Sequence, residues 1–198
     1  MPWPRSRPSS RGARSAPGTR SCSPSPGTGS RRRRGERVLI GLVSDTHDHL
    51  DHLRRALVLC RRRGAELILH AGDFVSPFTA EPFRELDLRV IGVYGNNDGD
   101  KLHLRERFSG VGELHFGPHE IELAGRQIVL LHEPRALEAL VASGRYALVV
   151  YGHTHRPEVR PGLPVVVNPG ECAGWLTNRP TCAVVDLATL RAEVLDLG

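Results

Sequence analysis

Seven side chains in this sequence share one chemistry, the donation of oxygen or nitrogen lone pairs to a metal ion: Asp45, His47, Asp73, Asn96, His132, His153 and His155. They fall in five clusters: Asp45-Thr46-His47, Gly72-Asp73, Gly95-Asn96-Asn97-Asp98, the single His132, and Gly152-His153-Thr154-His155. Imidazole suits zinc, iron, nickel and manganese, and carboxylate suits harder ions. Seven donors exceed what one ion takes from protein while leaving room for water and substrate. A mixed set of this size fits two ions with one carboxylate shared. Two such ions form a clamp on the attacking and leaving oxygens of a phosphate ester. Each cluster alone has a plain structural explanation. Ser-Asp-Thr can cap a helix, Gly-Asp is an ordinary turn dipeptide, Asn-Asn-Asp-Gly is a turn signal, and His153 and His155 can flank a turn. Five in order, each behind a strand-like run, are hard to explain as structure alone.

The elements that must position these side chains are legible from Arg37 onward. Val38 to Val43 is a short apolar run of the kind buried on both faces of a sheet. Leu50, Leu53, Leu57 and Cys60 recur at helical spacing, and Gly64 ends the helix. Leu67–Leu69 predicts a second strand, 77–86 a short helix, 89–94 a third strand and 100–108 another helix. The later half changes character. Residues 120–123 and 127–131 predict a hairpin around Ala124-Gly125-Arg126. A helix over 135–143 follows, then strands near 147–151, 158–160, 165–167, 181–186 and 191–195. The fold class expected is α/β (α+β): a four-layer α-β-β-α sandwich of two mixed sheets flanked by helices. Each donor cluster then lies at a strand's carboxyl end, where such folds build sites.

The bulk properties exclude several functions. The 198 residues suffice for one domain with a substantial core. The net charge of +5 misleads, because residues 1–37 hold ten Arg against the single acid Glu36, a local +9 that leaves residues 38–198 at −4. The body is therefore mildly acidic, and no stable nucleic-acid complex is expected. Lys101 is the only lysine. The four cysteines form no C-x-x-C pair, Cys60 and Cys182 read as small buried hydrophobes, and a reducing cytoplasm is favoured. No apolar run is long enough to span a bilayer, so no membrane association is expected. Residues 1–36, rich in Arg, Ser, Pro and Gly, read as a disordered leader ahead of a domain over 37–198. A misplaced start or a solvated basic tail is favoured over a transit peptide.

The motif series D-x-H, G-D, G-N-x-(D/E), lone His and G-H-x-H resembles that of the calcineurin-like metallophosphoesterase superfamily. Asn168-Pro169-Gly170 adds a resemblance to its small bacterial and archaeal branch, the YfcE-like phosphodiesterases. The resemblance spans about residues 38–197. It implies one ion held by Asp45, His47 and His155, another held by Asn96, His132 and His153, and Asp73 bridging them. It also implies hydrolysis of a small phosphodiester by a hydroxide shared between the ions, Mn2+ foremost, with Ni2+, Fe2+ or Zn2+ as alternatives. Asp73, Asn96, Asp98 and His70 are the catalytic candidates, His70 also a candidate support from behind the donors. A homodimer or higher homo-oligomer is compatible with this reading. The alternative is a metal-binding interaction scaffold of the same fold, like the retromer subunit, with little activity.

Three positions depart from the family pattern. Asn97 stands where many members carry a His thought to protonate the leaving group. Glu133 replaces a usual Gly after His132, and Glu171 replaces a usual Ser after Pro169-Gly170. Two placements are open for the added carboxylates, near the metals or toward solvent. His49, His52, His103, His115 and His119 read as surface or satisfied groups, and Trp175 and Phe78 as core residues by default, with pocket lining as their other role.

Overall fold

The computed structural model describes residues 38–198; the expectation of a disordered leader over 1–36 lies outside them. Eleven strands and four α-helices follow in chain order: β1 Leu39–Val43, α1 Leu50–Arg62, β2 Ala65–His70, α2 Glu81–Glu85, β3 Arg89–Val93, α3 Lys101–Phe108, β4 Gly112–His115, β5 His119–Leu123, β6 Arg126–Leu130, α4 Leu137–Ala142, β7 Leu148–Val150, β8 Glu158–Arg160, β9 Val165–Asn168, β10 Thr181–Asp186 and β11 Arg191–Asp196. They build a six-stranded sheet, β11-β10-β1-β2-β3-β4, and a five-stranded sheet, β5-β6-β7-β9-β8.

Both sheets are mixed. β1 to β4 run parallel, and β10 and β11 close one edge antiparallel. β6, β7 and β9 run parallel between antiparallel β5 and β8. Side chains alternate across each sheet. Ile40, Leu42, Leu69, Ile128, Leu130, Leu148 and Val150 meet in the layer between the sheets. Leu53, Leu57 and Cys60 of α1 cover the outer face of the first sheet with Phe74, Phe83 and Phe108. Val129, Val149 and Val166 face the other way, against Leu137 of α4 and Tyr146. The result is the four-layer sandwich expected.

Local chemistry explains most boundaries. His49 Nδ1 accepts from His52 N–H at the start of α1, and Arg61 and Arg62 sit in its last turn, where cations suit the helix dipole. Asp100 caps α3 by accepting from His103 N–H. Two expected helices are shorter than the pattern suggests. Pro77–Ala80 and Pro134–Ala136 form 3₁₀ turns ahead of α2 and α4. Strand β4 was not anticipated. It completes the first sheet beside β3. Cys60 and Cys182 are buried, as expected, with Sγ atoms 3.9 Å apart and no disulfide. Among the described residues, no helix is long and apolar enough to cross a membrane.

Candidate metal centre

The parallel strands of both sheets aim their carboxyl ends at one place. Asp45 follows β1, Asp73 follows β2, Asn96 follows β3, His132 follows β6, and His153 and His155 follow β7. Backbone hydrogen bonds sew these loops together. Asp45 N–H donates to Gly72 O (3.0 Å), His47 N–H to Asp73 O (3.1 Å), Gly152 N–H to His132 O (3.1 Å), and Ala173 N–H to Asp45 O (3.1 Å). His153 N–H donates to Asp45 Oδ2 across the two sheets (3.1 Å). Glycine permits the close approach at two points. A Cβ on Gly95 would lie 2.1 Å from Asp73 Oδ1, and one on Gly152 would lie 2.0 Å from Ser44 Oγ.

All seven donor residues converge. The ligand atoms of Asp45, His47 and His155 lie within 4.8 Å of one another. Asn96 Oδ1 lies 2.8 Å from His132 Nε2 and 2.9 Å from His153 Nδ1. Asp73 stands between these groups, its Oδ2 3.6 Å from His47 Nε2 and 3.5 Å from His132 Nε2. Asp45, Asp73 and His132 form a further cluster within the same 4.8 Å reach, so Asp45 also approaches the second group. Five of the seven residues, Asp45, His47, Asp73, His153 and His155, have positive φ. Asp and His reach that region more readily than most residues, and it is still sparsely populated.

The donor chemistry fits divalent cations. Asp45 Oδ1 and His47 Nε2 are buried without a hydrogen-bond partner and face each other at 3.9 Å. A carboxylate oxygen left bare in the interior costs free energy unless a positive charge meets it. His132 repeats the point. Its Nδ1 lies 2.8 Å from Ala71 O, a carbonyl that can only accept, so Nδ1 carries the ring proton. With no second proton on the ring, the Nε2 lone pair would face the Asn96 oxygen at 2.8 Å. Two lone pairs at that distance repel unless a cation or a second proton sits between them. Burial raises the Asp45 pKa; the Ser44 hydroxyl, then His132 and His155, pull against it, and Asp73 adds to the rise.

Supports stand behind the donors. His70 and Asp98, two of the expected catalytic residues, are fully buried, and their side chains are bonded to the backbone and to Thr46 behind the seven donors. Gly72 N–H donates to His70 Nδ1 (3.1 Å), leaving Nε2 to meet the Thr46 hydroxyl (3.2 Å), which in turn donates to Asp73 O (3.1 Å). Burial holds the His70 pKa well below its ordinary value, with His132 and His47 adding to the effect. Asp98 accepts from the N–H groups of Asp73 (3.1 Å), Val75 (2.7 Å) and Gly95 (2.7 Å), ordering two loops at once. Asn97 reaches Asp73 itself: its backbone N–H donates to Oδ1 (2.8 Å) and its Nδ2 to Oδ2 (2.7 Å). Asn168 Nδ2 donates to Gly152 O (3.1 Å) and Thr154 Oγ1 (3.0 Å), bracing the His153–His155 loop.

The two added carboxylates take different places. Glu133 pairs with Arg135 at the surface (2.5 Å). Glu171 is fully buried, with Oε1 3.2 Å from His155 Nδ1. Burial pushes its pKa up, but N–H donors from Leu176 and Thr177, the Thr177 hydroxyl and His155 outweigh that, and the net shift is downward. The core packing expected of Trp175 and Phe78 is not what they do: they are 62% and 63% exposed. Trp175 Nε1–H donates to His47 O (3.3 Å), which puts an indole beside the centre.

A two-sheet sandwich with carboxylate, imidazole and amide donors gathered at its strand ends defines a metallophosphoesterase, and the chain belongs to the calcineurin-like phosphoesterase superfamily, whose domain profile matches residues 38–190. It is similar to the phosphodiesterase MJ0936 of Methanocaldococcus jannaschii, 40% identical over 154 residues that cover 74% of this chain and 92% of that protein. Among solved structures, an archaeal phosphodiesterase superposes with a TM-score of 0.75 at 33% identity, over 80% of this chain and 99% of that one. YfcE, a phosphoesterase from E. coli, shares the fold at 19% identity and a TM-score of 0.54, over 81% of this chain and all of its own.

Proposed function

We propose that this protein is a metal-dependent phosphodiesterase that uses two divalent ions, with Asp45, His47 and His155 at one, Asn96, His132 and His153 at the other, and Asp73 shared. The observation that carries this reading is the convergence of these side chains, with Asp45 Oδ1 and His47 Nε2 buried without a hydrogen-bond partner 3.9 Å apart and His132 Nε2 and His153 Nδ1 both gathered within 2.9 Å of Asn96 Oδ1, two places that a cation would suit. When bound, such ions supply Lewis acidity and lower the pKa of water toward neutrality. The chain's own residues supply position. Asp98 and the His70–Thr46 pair hold the loop that presents Asp73, and Asn168 and Glu171 hold the loop that presents His155. Mn2+ suits the mixed carboxylate and imidazole set, with Ni2+, Fe2+ and Zn2+ as competitors. A small diester is the substrate, and the mildly acidic body supports no stable nucleic-acid complex. The unlinked thiols of Cys60 and Cys182 fit a cytoplasmic location. A scaffold role needs no full donor set, and all seven donors are present.

The test is hydrolysis of bis(p-nitrophenyl) phosphate by protein stripped with chelator and reloaded with each metal, with metal content measured in parallel. Wild type should bind two ions per chain and turn over only when loaded. Asp73→Ala should lose more activity than the ~10–100-fold typical of an outer-shell residue. Full turnover in chelator, or an active Asp73→Ala protein, would refute the reading.

A further inference from the structure

A cleft of about 320 Å³ opens onto Asn96 and His132, and the donor set makes no use of it. Leu131 and Gly117 lie along it, and Tyr94, Phe116 and Lys101 line it with Glu133 and Arg135. Phe116 is 73% exposed, and its ring stands 5.2 Å from that of Tyr94 at 55°. Lys101 is fixed rather than waving in solvent. Its Nζ donates to Asp98 O and sits 5.7 Å above the Tyr94 ring, while Tyr94 Oη donates to Lys101 O (3.1 Å). Arg135 is neutralised by Glu133, so Lys101 is the uncompensated charge among the residues lining the cleft.

We infer that this cleft binds one ester substituent of the substrate, and that the substituent is a planar aromatic group of up to nucleoside size. The inference rests on the phosphodiesterase reading of the adjoining centre. Three features select this occupant. The cleft begins at two of the donors, so whatever fills it is attached to the phosphorus held there. An exposed phenyl ring on the wall offers a face for stacking, which every aromatic group can use. Lys101, held by Asp98 O and over the Tyr94 ring, adds a positive charge to the wall that suits an anionic ester entering it.

The experiment holds the leaving group constant and varies the group retained. Wild-type, metal-loaded protein is assayed on p-nitrophenyl phosphodiesters carrying methyl, cyclohexyl, phenyl or thymidine-5′ as the second substituent. The phenyl and thymidine esters should exceed the methyl ester in kcat/KM by about tenfold or more, through KM, the range that one stacking contact supplies. Phe116→Ala should remove most of that preference. Its melting temperature should match wild type, because the ring is not in the core. Equal rates for cyclohexyl and phenyl esters would overturn the aromatic assignment, and a preference that survives Phe116→Ala would overturn the site. Equilibrium binding of diphenyl phosphate against dimethyl phosphate reads the cleft without turnover. Tighter diphenyl binding through Phe116 with no hydrolysis of any ester would sink the hydrolase reading and leave the cleft standing. Hydrolysis without any preference would do the reverse.

Discussion

Asp73 Oδ2 faces His47 and His132 and also accepts the Asn97 amide, so position 97 is committed to holding a carboxylate. An amide cannot protonate a departing alkoxide at neutral pH, and general acid catalysis is worth about 10²–10⁴-fold. Rates on a series of aryl phosphodiesters should therefore fall steeply as leaving-group pKa rises, and Asn97→His should make the slope shallower. Equal slopes would mean that another residue donates the proton. Glu171 acts through His155. Glu171→Gln should weaken binding of the ion at the His155 site by about 10–100-fold, read by titration calorimetry with Mn2+. The same residue predicts a pH effect. Because its folded pKa is depressed, its stabilisation is complete above the ordinary Glu value of about 4.3 and is lost as pH falls through the lower folded value. The acid limb of a melting-temperature profile of metal-free protein should flatten in Glu171→Gln. An unchanged limb would show that the buried carboxylate is not coupled to folding.

At the scale of elements, the strands that aim the donors were legible because they are continuous apolar runs, as in Leu39–Val43 and Leu148–Val150. β4 was not, because Gly112-Glu113-Leu114-His115 buries only Leu114 and takes its strand form from pairing with β3. The five motifs were legible because each is local in sequence. The cleft was not, since Lys101, Phe116 and Arg135 meet only after both sheets are built. Glu171 stood out as a departure with two placements open, and burial beside His155 decides between them. The loops themselves depend on glycine. Gly95→Ala should push the Asp73 carboxylate from its place and lower metal affinity. Gly99, two residues past the Asn96–Asn97 pair, has nothing within 4 Å of an added Cβ. Gly99→Ala should leave melting temperature and affinity within the small scatter of surface changes. Equal losses from both substitutions would mean that loop flexibility, not contact with Asp73, is the constraint.

For the whole molecule, the centre lies where the two sheets join, since Asp45 and Asp73 come from one and His132, His153 and His155 from the other. An ion held by both sheets binds the folded state alone, and mass action converts that binding into stability, about 2.7 kcal/mol at a free concentration one hundred times Kd. Melting temperature should rise with Mn2+ in wild type and fall back with chelator. Asp73→Ala should blunt the response, because it removes the donor between the two groups. A melting temperature indifferent to metal would mean that the folded protein does not bind Mn2+ in preference to the unfolded chain.

The positive φ angles at five donor residues have an evolutionary consequence. Left-handed backbone at a non-glycine residue costs on the order of 1–3 kcal/mol, so at each of these positions the backbone alone would favour glycine. A lineage released from hydrolysis would recover that backbone cost at the histidines, whereas Asp45 and Asp73 also accept N–H groups that a glycine would leave unmet. In this chain all five are intact.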